Sequence, residues 1–298
     1  MIIEASKVAA GTIHLTIMNI VSFLASFIFY VGIARVLTPK DMGLISLMFS
    51  TIAIFNTFTL LALNSAVIKY VSEHLGKSDI ITASAVSRRV FKVITIISIS
   101  ALLISILISP LILEWFFQLQ ITMPIFLLLI SVGIMLNYTN YYGAIMAGLA
   151  MFGMVAIQNI LFSIGSRISA LTLAFLGFKV DGVAFGFFLG AIICLTFSIL
   201  MVRGKMKGSD DNFPLREILS FSIPIYIFNI IHLARDWMDI LILYGLTSAL
   251  TPTGIYYIAV ASSQILSILW SPFAFALLPA LSSRFGAHGL NAVNYALI

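Results

Sequence analysis

The sequence predicts an all-α, polytopic integral membrane protein with about eight transmembrane helices. Of its 298 residues, 61% are hydrophobic and 9% are charged, and the mean hydropathy is +1.13. Soluble globular chains contain about 45–50% apolar and about 25% charged residues, so a soluble core cannot accommodate this composition. The apolar runs are unbroken rather than alternating, and lipid cannot hydrogen-bond a bare backbone, so helices are expected rather than a barrel.

Eight apolar segments are each long enough to cross a bilayer, which requires roughly 20 residues. They are residues 11–36, 42–68, 90–113, 124–149, 151–176, 183–202, 219–246 and 254–281. The first is about 26 residues long, which exceeds the roughly 7–15 residue core of a signal peptide, so we interpret it as a membrane helix. Cys194, the one cysteine of the chain, lies inside the sixth segment, which excludes an intramolecular disulfide.

The basic residues predict the orientation of these spans. If the amino terminus is cytoplasmic, eleven Lys and Arg residues fall on the cytoplasmic side and three, Arg35, Lys40 and Lys179, on the outer side. The sequence pI of about 9.4 therefore reflects topology, and we expect no nucleic-acid partner. We expect a multi-pass protein of the cell membrane in contact with membrane lipids.

The loops between the spans are too short for a soluble catalytic domain. They contain no Gly-rich phosphate loop, no His-x-x-x-His metal pair and no Ser/His/Asp set. The sequence therefore predicts that the protein is not an enzyme and has no cofactor and no metal site.

The seventh span carries polar side chains on one face. At 100° per residue, this face groups Ser222, Asn229, His232, Asp236 and Asp239, with Arg235 beside them. Each Arg or Asp at mid-membrane costs roughly 2.5–3.5 kcal/mol on insertion scales, so these groups must face protein, water or a substrate.

Arg235 and Asp239 are four residues apart, so we expect them to pair along the helix and to leave Asp236 without a partner. An unpaired carboxylate in this environment favours protonation, and we hypothesise that Asp236 or Asp239 exchanges a proton during transport. The alternative is that the cluster only attaches the seventh span to its neighbours.

The first span shows a similar polar face that includes Asn19 and Ser26. Shifting the sequence by 213 residues superposes residues 37–39 on residues 250–252, and Gly43 then aligns with Gly254 after a two-residue gap. The same shift places Asn19 on His232. These matches predict a parallel internal repeat of about six spans.

Other spans carry isolated polar groups, namely Asn56, Asn64, Asn137, Asn140, Gln158, Asn159 and Arg167. Amides in membrane helices commonly hydrogen-bond neighbouring helices, which we expect here. Arg167 has three open interpretations: it meets an anionic headgroup, pairs with a carboxylate, or extends to the outer interface.

Several of these stretches resemble a known family. Residues 34–44, ARVLTPKDMGL, are similar to the first outer turn of the polysaccharide transporter family, the O-antigen-type flippases. Residues 64–72, 239–245, 253–256 and 278–282 resemble its second helix and the start of its second lobe. This family lies in the MOP superfamily, together with multidrug and toxin extrusion antiporters and lipid II flippases.

The resemblance implies two six-helix lobes that rock around a central polar cavity, with a polyprenyl-diphosphate-linked oligosaccharide as substrate. It implies a first lobe at 1–210 and the first two helices of a second lobe at 211–298. Because such families have twelve to fourteen helices, we expect a C-terminally truncated chain or one that works with another chain. The expected substrate and coupling-ion cavity comprises Asn19, Ser26, Asn229, His232, Arg235, Asp236, Asp239 and Arg167.

Three functions remain open from the sequence. A flippase is favoured by the loop motifs, with cavity cations at the diphosphate and polar groups at the sugars. A proton- or cation-coupled multidrug antiporter is favoured by the acidic surplus of the seventh span. A membrane scaffold or assembly protein that transports nothing is favoured if eight helices are the complete chain.

Overall fold

The computed structural model describes residues 2–205 and 213–263, and all regular structure in these ranges is helical. The α-helices are α1 Ile2–Ile33, α2 Pro39–Leu60, α3 Leu63–Gly76, α4 Ile80–Leu111, α5 Met123–Gly148, α6 Phe152–Leu173, α7 Lys179–Val202, α8 Leu215–Thr247 and α9 Leu250–Ser263. Short π-helical turns, Ile112–Phe116 and Ala174–Phe178, extend α4 and α6. The all-α fold class is confirmed.

Six stretches of the described residues are long and apolar enough to cross a membrane. They are Ile13–Ile33, Pro39–Leu60, Ile80–Phe116, Met123–Gly148, Phe152–Val202 and Leu215–Thr247. The fifth contains both α6 and α7, so these stretches account for the first seven predicted spans. The eighth, 254–281, begins in α9 and continues outside the described residues.

The helical body extends to Tyr257. Of residues 258–298, which form a separate unit, the structure describes the end of α9 as far as Ser263.

The second predicted span is two helices rather than one. Leu61 and Ala62 adopt left-handed conformations, with φ of 49° and 53°, and separate α2 from α3. Residues 60–63 contain neither Gly nor Pro, so the sequence gives no signal for the break. Ala62 and Leu63 are fully buried, and their packing holds the backbone in a conformation that non-glycine residues rarely adopt.

Polar side chains at two helix starts satisfy backbone donors that would otherwise lack partners. Thr38 and Asp41 form a reciprocal capping box at the start of α2, and Pro39 occupies the first turn. Asp79 accepts a 3.0 Å hydrogen bond from the backbone N–H of Thr82 at the start of α4. Hydrogen bonds from Thr82 lower the pKa of Asp79, which keeps this capping carboxylate ionised at neutral pH.

Glycines allow α6 and α7 to pack with their backbones in contact. A Cβ atom on Gly186 would lie 2.2 Å from the Cα of Ala170, and one on Gly190 would lie 2.5 Å from the Cβ of Ser166. Small residues spaced four apart are typical of close helix pairs in membranes, where dispersion rather than hydrophobic burial drives association.

The buried amide of Asn137 and the half-buried amide of Asn56 connect α2, α4 and α5. Asn56 Nδ2 donates to Asn137 Oδ1 at 2.7 Å, and Asn137 Nδ2 donates to Thr59 Oγ1 at 2.6 Å. Asn137 Nδ2 also lies 3.5 Å from Ser98 Oγ. The expected hydrogen bonding of Asn56 and Asn137 between helices is therefore confirmed.

The starts of α2 and α9 meet through a reciprocal pair of glycines. A Cβ on Gly43 would lie 2.1 Å from the carbonyl oxygen of Leu250, and one on Gly254 would lie 1.8 Å from that of Pro39. Each glycine is the fifth residue of its helix, and each abuts the carbonyl of the first residue of the other helix. Two parallel copies related by a two-fold axis would produce this reciprocity.

α8 packs along α2 and α3 and is held near both of its ends. Near its start, Tyr70 of α3 donates a 3.1 Å hydrogen bond to the carbonyl of Glu217 and packs against Phe221. Beyond its last residue, Gln118 Nε2 donates to the carbonyl of Ser248 at 3.2 Å. The polar face of α8 is therefore fixed relative to α2.

Replacement of Asn137 tests the buried amide cluster. We expect Asn137→Leu to reduce the free energy of unfolding by about 1–2 kcal/mol. The change removes two interhelical hydrogen bonds, each of which contributes about 0.6 kcal/mol on average in membranes. It also leaves the Asn56 amide without its acceptor. Unfolding in mixed micelles with increasing dodecyl sulfate measures this. Asn159→Leu is the matched control, because the Asn159 amide bonds the Val155 carbonyl of its own helix. Equal losses of stability in both variants would contradict the assignment.

Candidate functional site

The polar face of α8 borders a cavity of about 270 Å³. Asn229, His232 and Asp236 line it from α8, together with Leu233 and Trp237. The helix runs unbroken through Pro224, so these side chains recur at three- and four-residue intervals along one side. The structure therefore brings together three of the residues that the sequence predicted for a site.

The opposite wall of this cavity comes from α2 and the break that follows it. Asn56 and Thr57 supply an amide and a hydroxyl, and Ala53, Leu60 and Ala62 complete the wall. We refer to this space as the α2–α8 cavity. The sequence marked Asn56 as a polar membrane residue but not as part of this site, and gave no indication of Thr57, because the pairing of α2 with α8 depends on tertiary packing.

Arg235 pairs with the adjacent Asp236 and not with Asp239. Both Nε and Nη2 of Arg235 lie 2.8 Å from Asp236 Oδ1. The expected pair between Arg235 and Asp239 is wrong, because Asp239 is engaged elsewhere: its Oδ2 accepts a 2.7 Å hydrogen bond from Tyr256 of α9 and its Oδ1 accepts from the Ile240 N–H at 2.8 Å. Of Asp236 and Asp239, it is therefore Asp239 that has no cationic partner in the described ranges.

The Arg235–Asp236 pair is not sealed inside the protein. The side chains are 66% and 49% exposed, although they lie in the middle of a 33-residue helix. Since lipid cannot solvate an ion pair, the exposed sides of these two residues must face water, a substrate or further protein next to the α2–α8 cavity.

The two predicted site residues of α1 lie outside this cavity. Asn19 is exposed, and Ser26 Oγ donates a 2.8 Å hydrogen bond to the Ser22 carbonyl of its own helix. α1 packs mainly against α6, whereas α8 packs against α2 and α3. The polar surface opposite α8 is thus provided by α2 and not by α1.

Arg167 also lies away from α8. Its Nη1 donates to the carbonyl and the hydroxyl of Ser163, at 3.0 and 2.8 Å, one turn earlier on α6. Ser163 in turn lies 3.4 Å from the Ser22 carbonyl of α1. Nearby, the hydroxyls of Tyr30 and Tyr257 are 2.8 Å apart and connect α1 to α9.

A second polar cavity, of about 380 Å³, lies among α3, α5, α6 and α7. Its walls include the predicted polar residues Asn64, Asn140, Gln158 and Asn159, and none of its lining residues is charged. Gln158 Nε2 donates to the Thr139 carbonyl at 2.7 Å, which ties α6 to α5. Three side-chain oxygens around it, on Asn64, Thr139 and Gln158, have no protein partner in the described structure.

A metal centre finds no support in the part of the chain that the structure describes. Residues 2–205 and 213–263 contain no group of three His, Cys, Asp or Glu side chains placed to hold a metal ion. Cys194 is a buried free thiol whose Sγ lies 3.2 Å from the Gln158 carbonyl.

Several solved structures share this fold at low sequence identity. An inward-facing multidrug resistance MATE family transporter of the MOP superfamily aligns with a TM-score of 0.64 at 15% identity, over 95% of this chain and 68% of its own. A MATE structure in complex with MaD5 aligns with a TM-score of 0.61 at 17% identity, over 92% and 70% of the two chains. A MOP superfamily transporter from Pyrococcus furiosus aligns with a TM-score of 0.57 at 15% identity, over 97% and 67%.

Sequence comparison identifies the family. Comparison with curated proteins finds no significant match. The family model described as "Polysaccharide biosynthesis protein" matches residues 8–285, which is most of the chain and confirms the resemblance seen in the loop motifs. This multi-pass membrane protein, which has the fold of MOP superfamily transporters, therefore belongs to the polysaccharide biosynthesis protein family.

Proposed function

We propose that this protein moves a polyprenyl-diphosphate-linked oligosaccharide across the cell membrane by alternating access, for the assembly of a cell-surface glycan. The observation that carries the proposal is the α2–α8 cavity, a polar space between membrane-spanning helices in a chain of the polysaccharide biosynthesis protein family. The amino terminus lies in the cytoplasm in this proposal, as the distribution of Lys and Arg predicts.

The residues of the cavity suit the sugars of such a substrate. Asn56, Asn229 and His232 offer amide and imidazole groups that both donate and accept hydrogen bonds, as sugar hydroxyls require. Arg235 adds a planar cation whose N–H groups donate hydrogen bonds to sugar oxygens, and Asp236 holds it at the edge of the cavity.

Alternating access requires contacts that open on one side. The reciprocal contact of Gly43 and Gly254 and the hydrogen bond between Tyr30 and Tyr257 join α1 and α2 to α9 at their outer ends. These contacts would have to separate before a substrate could leave toward the outside. We therefore assign them as the outer gate.

A proton- or cation-coupled multidrug antiporter is the second candidate, and Asp239 is the observation that favours it. This carboxylate accepts a hydrogen bond from the Tyr256 hydroxyl and has no cation beside it in the described residues, so its negative charge is available to a coupling cation. One of the solved structures that share the fold is of a multidrug resistance transporter. Dye efflux that requires a pH gradient and is lost in Asp239→Asn would favour this candidate.

Reconstitution of the chain into vesicles distinguishes the two candidates. We expect transfer of a fluorescent lipid-linked oligosaccharide between leaflets and no accumulation of a cationic dye under a pH gradient. Asn229→Leu removes an amide of the cavity and should slow transfer about tenfold, since removing one buried hydrogen bond to the substrate costs about 1.4 kcal/mol. Asn19→Leu, the same change on α1 outside the cavity, is the matched control. Dye transport without lipid transfer would contradict the proposal.

Valine at Gly43 or Gly254 tests the outer gate. The added Cβ would overlap a backbone carbonyl of the opposite helix, so we expect the gate to open. In a Cys194→Ala background, the buried Thr253→Cys should become reactive toward a membrane-impermeant maleimide added outside. Gly245→Val is the control, because nothing lies within 4 Å of its Cβ position. Unchanged labelling in both gate variants would show that these glycines do not close the outer side.

A further inference from the structure

An apolar groove runs between α1 and α6, apart from the α2–α8 cavity. It has a volume of about 290 Å³ and is walled by aliphatic side chains such as Leu24 and Ile28 of α1 and Ile168 of α6. These three side chains are 50%, 62% and 60% exposed, so the groove opens away from the helical body. Both helices are long and apolar enough to span the membrane, and an exposed aliphatic wall within a span suits a hydrocarbon chain.

One lining residue, Arg167, is charged, and it lies at the wall of this groove. Ser163 fixes the guanidinium through two hydrogen bonds that both use Nη1, which leaves the donors of Nε and Nη2 for another group. Among the ion pairs that the described residues form, none includes Arg167. Of the three interpretations left open by the sequence, pairing with a carboxylate is thus not the one that the structure supports.

The position of Arg167 also argues against a side chain that extends to the outer membrane interface. It lies eleven residues before Phe178, the end of the π-helical turn that extends α6, which is roughly 17 Å along a helix. Its side chain is instead directed back along α6 to Ser163. A cation held within the span, beside an apolar groove and without a carboxylate, is complementary to a lipid that carries a negative charge at one end of a hydrocarbon chain.

We propose that this groove binds the polyprenyl chain of the substrate, with its phosphate at Arg167. The inference rests on the proposed function and extends it to the lipid part of the substrate. The half-exposed aliphatic walls of the groove suit a segment of hydrocarbon chain. The guanidinium binds phosphate oxygens through paired N–H donors.

This arrangement places the phosphate next to the outer gate. Phe29, which lines the groove together with Arg167, packs edge-on against Tyr30 of the outer gate, with ring centroids 5.3 Å apart. A phosphate held at Arg167 is therefore adjacent to a contact that must break before the outer side opens.

Photolabelling of the purified full chain tests the proposal. The probe is a long-chain polyprenyl monophosphate with a benzophenone on the chain, and labelled peptides are mapped by mass spectrometry. We expect label at Leu24, Ile28 and Ile168, about tenfold less label in Arg167→Gln, and partial recovery in Arg167→Lys. Arg35→Gln, which removes a cation outside the groove, should leave labelling unchanged. Labelling that is the same in Arg167→Gln and the wild type would overturn the proposal.

Competition on the wild-type chain provides a test that needs no variant. Unlabelled polyprenyl phosphate should displace the probe, whereas neutral polyprenol and phosphatidylglycerol should compete at least tenfold less well. Equal competition by phosphatidylglycerol would identify a bilayer-lipid site and overturn the assignment to the substrate. Transfer of lipid-linked oligosaccharide without label in the groove would refute this inference alone, and specific label without transfer would refute the proposed function alone.

Discussion

The arrangement of α8 depends on how the protein solvates three charged residues, Arg235, Asp236 and Asp239, in one five-residue stretch of this membrane-spanning helix. Each would cost roughly 2.5–3.5 kcal/mol at mid-membrane if it were left to lipid. Arg235 and Asp236 reduce this cost by pairing at 2.8 Å, and Asp239 does so by accepting a hydrogen bond from Tyr256. Neither interaction buries the charges, so the half-exposed pair needs water, a substrate or further protein beside it. The α2–α8 cavity, which Asp236 lines, offers polar surroundings on this side of α8.

The cost of placing charged and polar groups in lipid also distinguishes two environments in the protein, one polar and one aliphatic. Polar groups of α2 and α8 form a cavity suited to a hydrophilic headgroup, whereas α1 and α6 present an aliphatic groove with the Arg167 cation at its wall. An amphiphilic substrate needs both environments at once, since its sugars must avoid hydrocarbon and its chain must avoid water. The proposed outer gate consists of the contact between α2 and α9 through Gly43 and Gly254 and the contact between α1 and α9 through Tyr30 and Tyr257. Movement of α9 relative to α1 and α2 would therefore affect the surroundings of both parts of the substrate.

Sequence patterns predicted what depends on the local chain and missed what depends on contacts between helices. Apolar segment lengths predicted the spans, and the spacing on α8 predicted that Asn229, His232 and Asp236 share a face, because both follow from helix geometry. The break at residues 61–62 carries no Gly or Pro signal, since burial rather than local preference imposes it. The pairing of Arg235 was predicted incorrectly because Tyr256, seventeen residues after Asp239, competes for that carboxylate. The expected cavity combined residues of α8 with Asn19 and Ser26 of α1, and no single-helix pattern could indicate that α2 lies opposite α8 instead.

The central claim is that water reaches the polar face of α8 through the α2–α8 cavity. Spin-labelling a single cysteine at Asn229, in a Cys194→Ala background within lipid nanodiscs, measures this most directly. The account predicts that a water-soluble nickel chelate relaxes the label more strongly than oxygen does, and that lipid-linked oligosaccharide suppresses the effect. A label relaxed by oxygen alone, as expected for an exposed apolar position of a span such as Leu107, would contradict it.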